Sequence, residues 1–277
     1  MNNDATTTLI SPSRGWQMVN VRELWRFREL IYFFIWRDVK VRYKQTVLGA
    51  AWAVLQPALM MVVFTVAFGR LAKLPAGNFP YPLFVFAGLL PWNFFATAMA
   101  NAGNSVVGSE KLITKIYFPR LSIPIAAVGA AMVDFIVALG LMIVLMIWYR
   151  VPPSASIVML PVIFALIAVV ATGVGTLLAA LTVAYRDFRY VIPFLVQLWL
   201  FATPAIYMQP TQPPSPLVQA MIFANPMSGL VAAFRAAILG GPMPWLSLGI
   251  SAITCVILLL AGCFYFRRVE DSFADVV

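Results

Sequence analysis

Histidine is missing from the 277-residue chain altogether. With it go the commonest metal ligand and the side chain most used as a general base near neutral pH, and no Ser-His-Asp triad can be assembled. No glycine is followed by lysine anywhere in the sequence, so the phosphate-cradling G-x-x-x-x-G-K-[ST] loop is excluded and the chain is not expected to bind a nucleotide by itself. Only 10% of the residues are charged, against about 25% in an ordinary soluble domain. The ten acidic residues stand singly or near the termini, which leaves no paired-carboxylate site. Two cysteines, Cys255 and Cys263, lie eight apart in one apolar run; they read as small helix-packing residues, not as a disulfide framework. No cleavable signal peptide is expected either, because the first 20 residues are polar, with Asp4, Thr6 to Thr8 and Arg14.

What fills the chain instead is hydrocarbon. Hydrophobic residues make up 62% of it and the mean hydropathy is +0.90. A soluble globule of about 300 residues buries only ~75% of the surface its chain exposes, so lipid is the expected solvent. The net charge of +9 does not form a stripe on a polar domain, and no nucleic-acid partner is expected. Its basic residues sit between hydrophobic segments.

A helix crossing ~30 Å of hydrocarbon needs about 20 apolar residues. Six stretches qualify, near 47–69, 82–103, 121–149, 157–184, 190–208 and 245–266. The second is interrupted by Pro91 and the fifth by Pro193 and Pro204. With the N-terminus inside, fifteen Lys and Arg fall on inner segments and four (Arg70, Lys73, Arg150, Arg235) on outer ones. The positive-inside rule therefore predicts cytoplasmic termini at both ends. Residues 21–36 mix Arg22, Glu23, Arg26, Arg28 and Glu29 with Leu24, Trp25, Phe27, Ile31 and Phe34. They predict an amphipathic helix on the inner leaflet, the alternative being an extension of the first span. The proline-rich stretch 209–244 holds apolar runs at 217–224 and 227–239. These reach only ~12 and ~20 Å as helices, which suggests a re-entrant pair turning at Asn225-Pro226, or else a loop capping the outer surface. The expected fold is thus all-α integral membrane, with a segment 1–46 carrying the interfacial helix and a transmembrane domain 47–277.

Few residues suggest chemistry. Asp134, in the middle of the third span, is an intramembrane acid and a functional candidate by default. It serves either as a proton-coupling group, making the protein a secondary transporter, or as a structural partner between helices. Aromatics form faces at helical spacing: Phe84 and Phe95 with Trp92 in span two, and Phe194 and Phe201 with Trp199 in span five. Such faces suit a lining past which sugar rings slide, or ordinary packing. Ala171, Gly175 and Ala179 give a small-residue face for close helix contact. The cytoplasmic stretch 108–124 presents Glu110, Lys111, Lys115, Tyr117 and Phe118, a mixture fitted to docking a partner, or to a plain connector.

Four blocks add a resemblance. RYKQTVLGAAWAVLQPALMMVVFTVAFGRL (42–71), IYFPRLSIP (116–124), AYRDFR (184–189) and ANPMSGLVAAFR (224–235) resemble, in this order, the membrane subunits of ABC-2 type polysaccharide exporters. The resemblance implies a non-enzymatic permease acting as a homodimer in the bacterial inner membrane, with the channel between protomers. Two copies of a separate ATPase would bind ATP and Mg, and this chain would carry no cofactor. The substrate would be a lipid-linked polysaccharide of O-antigen, capsule or teichoic acid type. Glu110, Lys111, Lys115, Tyr117, Phe118 and Arg120 become candidates for ATPase contact, and Arg37, Arg42 and Lys44 for gripping the lipid's phosphates. Other readings are an ABC-2 permease for a small lipid or drug, the Asp134-dependent secondary transporter, and a scaffold without transport.

Overall fold

The computed structural model describes residues 21–44, 49, 51–75, 77, 79–208, 215–270 and 273. Among them there is no strand. Two N-terminal helices, α1 (Val21–Arg26) and α2 (Arg28–Lys44), lead into α3 (Ala51–Phe64), which continues as a π-helical turn over Thr65–Leu71. Then come α4 (Tyr81–Ser105), the short α5 (Glu110–Ile113), α6 (Ser122–Trp148) and α7 (Leu160–Ala184). The chain ends with α8 (Phe188–Ala202), α9 (Pro216–Ala224), α10 (Pro226–Leu239) and α11 (Trp245–Val269).

α4 is the axis of the bundle. It is apolar on nearly all sides, and such a helix is stable only when surrounded; α6, α7, α8 and α10 pack around it. Its Trp92, Phe86, Phe95, Leu83 and Met99 are buried to 2% exposure or less. α7 and α11 approach until backbones touch, because Gly173 and Gly262 face each other. A Cβ on Gly173 would lie 2.6 Å from the Leu259 Cα. The Ala171-Gly175-Ala179 face is buried as its spacing suggests, with Gly175 set against Ala102 of α4.

Among the described residues, five helices are long and apolar enough to cross a membrane, as the first four and the sixth predicted stretches require. The fifth differs. α8 stops at Ala202 after 15 residues, ~22 Å of helix, where the sequence reading carried a span to 208. Pro204 has no N–H to continue the ladder, and the chain unwinds over 203–207. Its carbonyls still find donors. Arg235 Nη1 donates to Pro204 O at 2.8 Å, Arg235 Nη2 donates to Ala205 O, and the Tyr81 hydroxyl donates to Ile206 O at 3.1 Å. Irregular backbone at membrane depth is stable only under such cover.

α9 and α10 meet at a 77° bend at Asn225. The expected pair of short helices is present, but only α9 is largely exposed. α10 is buried over almost its whole length against α4, α7 and α11, so it is part of the bundle and not a cap resting on it. Gly240 and Gly241, at φ 90° and 118°, end it in a backbone region that side chains rarely adopt.

The helix predicted at 21–36 is also longer and placed differently. It breaks at Phe27 and continues to Lys44. Phe34 meets Phe118, Ile35 meets Gly129, and Arg42 meets Asp134. Those contacts follow α6 toward its middle, so α2 packs lengthwise against α6. The charge of Arg42 is tolerated at that height because Asp134 receives it.

Candidate functional site

The end of the bundle that carries the 108–124 stretch has its own apolar cluster, apart from the main core. Phe34 of α2, Ile113 of α5, Phe118 and Leu121 of the following loop, Val183 of α7 and Phe266 of α11 pack together. With Ile123 of α6, one set of side chains thereby joins the 108–124 stretch to α2, α6, α7 and α11. The structure separates the six residues assigned to partner contact. Glu110, Lys111 and Lys115 are exposed, and Tyr117 projects at 74% exposure. Phe118 does not: it is 5% exposed and sits edge-on to Phe34, so the sequence reading of it as exposed bulk is corrected. Pro119 directly after it is buried as well, and the chain turns inward there. Arg120 is partly buried, and its Nη1 has no hydrogen-bond partner among the described residues. Beside this ridge the α7–α8 turn exposes Tyr185, Arg186, Asp187 and Arg189, a second charged knob on the same end.

The aromatic residues also divide. Phe84, Trp92 and Phe95 are inside the protomer, at 5%, 2% and 0% exposure. Trp92 packs on Phe95 and Phe95 edge-on to Trp199; they hold α4 to α8 and do not face a surface of this chain. Phe194 and Phe201 are 61% and 53% exposed. Trp199 is half-buried, and its Nε1 donates to Asn225 Oδ1 at 2.9 Å. Span two is wrapped by its neighbours, whereas α8 packs on the bundle along one stripe through Ile192 and Leu200.

Of the three cations assigned to phosphate, Arg37 pairs with Asp38 at 2.8 Å and lies over the Phe34 ring. Arg42 pairs with Asp134, which also accepts a hydrogen bond from the Tyr43 hydroxyl. Lys44 is exposed. Asp134 therefore has two donors from α2, a pairing across 92 residues that no local pattern announces.

Two features escaped the sequence reading. One is Arg235, counted among the outer charges but held inside, its guanidinium 4.0 Å from the Phe84 ring centroid and hydrogen-bonded to the 203–207 backbone. Gly88 leaves the space for it, since a Cβ there would overlap both Ala205 O and Arg235. The other is a polar stripe on α4. Asn93, Thr97 and Asn101, four residues apart, are partly exposed on a helix that is otherwise almost wholly buried. Their i, i+4, i+8 spacing was available in the sequence. The stripe borders a chamber of about 380 Å³ between α2, α3, α4 and α6, with Asp134 in its wall.

These features define a polytopic α-helical membrane protein with a sharply bent helix pair at one end and a charged ridge, clamped to the bundle, at the other. A family profile described as ABC-2 type transporter matches residues 29–239, and the chain belongs to that family. It is 30% identical over 259 residues to the O-antigen export system permease protein RfbA of Myxococcus xanthus, covering 93% of this chain and 98% of the relative. A Klebsiella pneumoniae protein of the same description is 27% identical over 242 residues, 87% of this chain and 92% of its own. The polysialic acid transport protein KpsM of Escherichia coli is 20% identical over 243 residues, 85% and 92% of the two chains.

Proposed function

We propose that this chain is the permease subunit of an ATP-driven exporter that moves a lipid-linked polysaccharide out of the cytoplasm. The observation that carries the reading is similarity over nearly the full length of export proteins for two kinds of glycan. The chain is a transport subunit and not an enzyme. ATP and Mg are handled by a separate ATPase, two copies of which sit against the exposed ridge of Glu110, Lys111, Lys115 and Tyr117. The buried cluster supports this arrangement, because a push on the ridge reaches α2, α6, α7 and α11 through Phe118 and Phe34.

Two copies of the chain form the channel in the bacterial inner membrane, with cytoplasmic termini. α3 and α8 support the homodimer. Only 6% of the α3 span is buried within the protomer, and α8 leaves Phe194, Leu198 and Phe201 uncovered. Both helices are mostly apolar where they are bare, Gln56 and Gln197 being exposed among apolar neighbours, and the aromatic face of α8 is available to a sugar chain passing between protomers. The pairing of Asp134 with Arg42 and Tyr43 supports its structural role over a proton-coupling one.

The test is deletion of the gene with complementation. Loss of surface glycan, with lipid-linked glycan accumulating inside and export restored only when the partner ATPase can hydrolyse ATP, is the expected outcome. Undiminished surface glycan in the deletion strain rules the reading out.

A further inference from the structure

The chamber beside Asp134 has a chemical character that the protomer's own packing does not use. Its α4 wall is the stripe Asn93, Thr97 and Asn101, which runs ~12 Å along the helix. α3 supplies Gln56 and Trp52 on the facing side, and the rings of Phe94 and Tyr43 add to the wall. Leu90, Phe135, Pro57 and Ala138 make the rest of it apolar. The Asn101 amide nitrogen is buried and has no hydrogen-bond partner among the described residues. At about 380 Å³ the space falls in the range of small-molecule sites and holds roughly a dozen waters by liquid volume.

The lining selects among ligands. Its two formal charges, Arg42 and Asp134, are spent on each other, so a phosphate would find no free cation there. An acyl chain would leave the stripe and Gln56 without partners, which polar groups in an apolar setting do not tolerate. Amides and a hydroxyl both donate and accept, which is what the hydroxyls of a sugar require. Flat aromatic faces suit the C–H faces of a sugar ring as they suit other apolar surfaces. The wall opposite α4 is α3, the least buried of the five long apolar spans among the described residues.

From this we infer that the chamber is a subsite for an uncharged sugar unit of the transported glycan, distinct from the bare aromatic face of α8. The inference rests on the export reading above. On it, Thr97, Asn101 and Gln56 hold the ring hydroxyls and Trp52 covers one ring face, while the Arg42–Asp134 pair keeps the site electrically neutral.

The experiment places the photoreactive residue p-benzoylphenylalanine at Thr97 in the full-length protein, expressed with its ATPase in the exporting cell. The same residue at Ile143, which is 54% exposed on the outer side of α6, is the comparison. Irradiation is expected to yield a periodate-sensitive, glycan-bearing adduct at position 97 and none at 143. In parallel, Thr97→Val and Asn101→Leu should lower export at least five-fold at unchanged protein level, and Thr97→Ser should restore it. Phospholipid adducts alone at 97, or full export by Thr97→Val combined with Asn101→Leu, overturns the subsite. If the deletion strain lacks surface glycan while position 97 captures lipid only, the subsite fails and the export reading stands. Surface glycan persisting in the deletion strain removes both.

Discussion

The rings of Phe34 and Phe118 meet edge-on, with 5.5 Å between centroids and 68° between planes. They come from parts of the chain that the sequence treats separately, an interfacial helix and a cytoplasmic loop. Both are almost fully buried. Aromatic pairs of this geometry contribute about 0.5–1.5 kcal/mol beyond their burial, and here the pair holds α2 against the segment that follows α5.

Removing either ring is therefore expected to damage the fold and not only a docking surface. Phe118→Ala should cost about 3–5 kcal/mol, read as a lowered unfolding temperature in detergent. Phe34→Ala should do the same. The double substitution should cost less than the two separately, since the second removal loses no pair that the first left intact. Strict additivity would show that the rings do not act together.

The exposed neighbours should behave in the opposite way. Lys115→Ala and Tyr117→Ala touch little of the protomer, and surface changes of this kind alter stability by about 0.5 kcal/mol or less. On the docking role proposed for them, copurification with the ATPase should fall about ten-fold while the unfolding temperature stays put. Unchanged copurification in the double variant would remove that role.

Much of the fold was legible because membrane insertion leaves a coarse signal. Runs of about 20 apolar residues placed the first four spans and the last, and the turn at Asn225-Pro226 placed the bend between α9 and α10. Less legible was what the helices do to one another. Phe84, Trp92 and Phe95 share a face by spacing, but spacing does not reveal whether a face meets a channel or a neighbouring helix; α8 and α10 cover this one. Phe118 looked exposed because it follows charged residues, and its burial depends on Phe34, 84 positions earlier. The meeting of Arg42 with Asp134 is of the same kind. The Asn93-Thr97-Asn101 stripe was readable in principle, and the surrounding aromatics drew attention from it.

Asn225 joins three elements at the 77° bend. Its Oδ1 accepts from Met227 N at 3.0 Å and from Trp199 Nε1 at 2.9 Å, and its Nδ2 donates to Thr203 Oγ1 at 2.8 Å. Asn225→Ala removes a helix cap, worth about 1 kcal/mol, and leaves the Trp199 indole unpaired at about 1–3 kcal/mol where water is excluded, while the Thr203 hydroxyl keeps its bond to Trp199 O at 2.9 Å. Trp199→Phe removes one of these bonds. The expected order of unfolding temperatures is wild type, then Trp199→Phe, then Asn225→Ala, and reversal of the last two would contradict the bonding scheme.

The Arg42–Asp134 pair allows a sharper test, because its two halves should fail differently alone and together. Asp134→Leu leaves a guanidinium and the Tyr43 hydroxyl without their acceptor, and Arg42→Met leaves a carboxylate with one donor fewer. Each single change should cost about 1–3 kcal/mol, the penalty for a polar group stranded away from water. Both side chains keep some solvent exposure, which holds the cost below that of a fully buried pair. Combining them removes both charges, and apolar replacement of an ion pair is often near neutral. The double variant is therefore expected to be more stable than Asp134→Leu alone, by unfolding temperature in detergent. On the structural role proposed for the pair, it should also assemble and export. A double variant that folds normally yet exports nothing would return Asp134 or Arg42 to the transport chemistry.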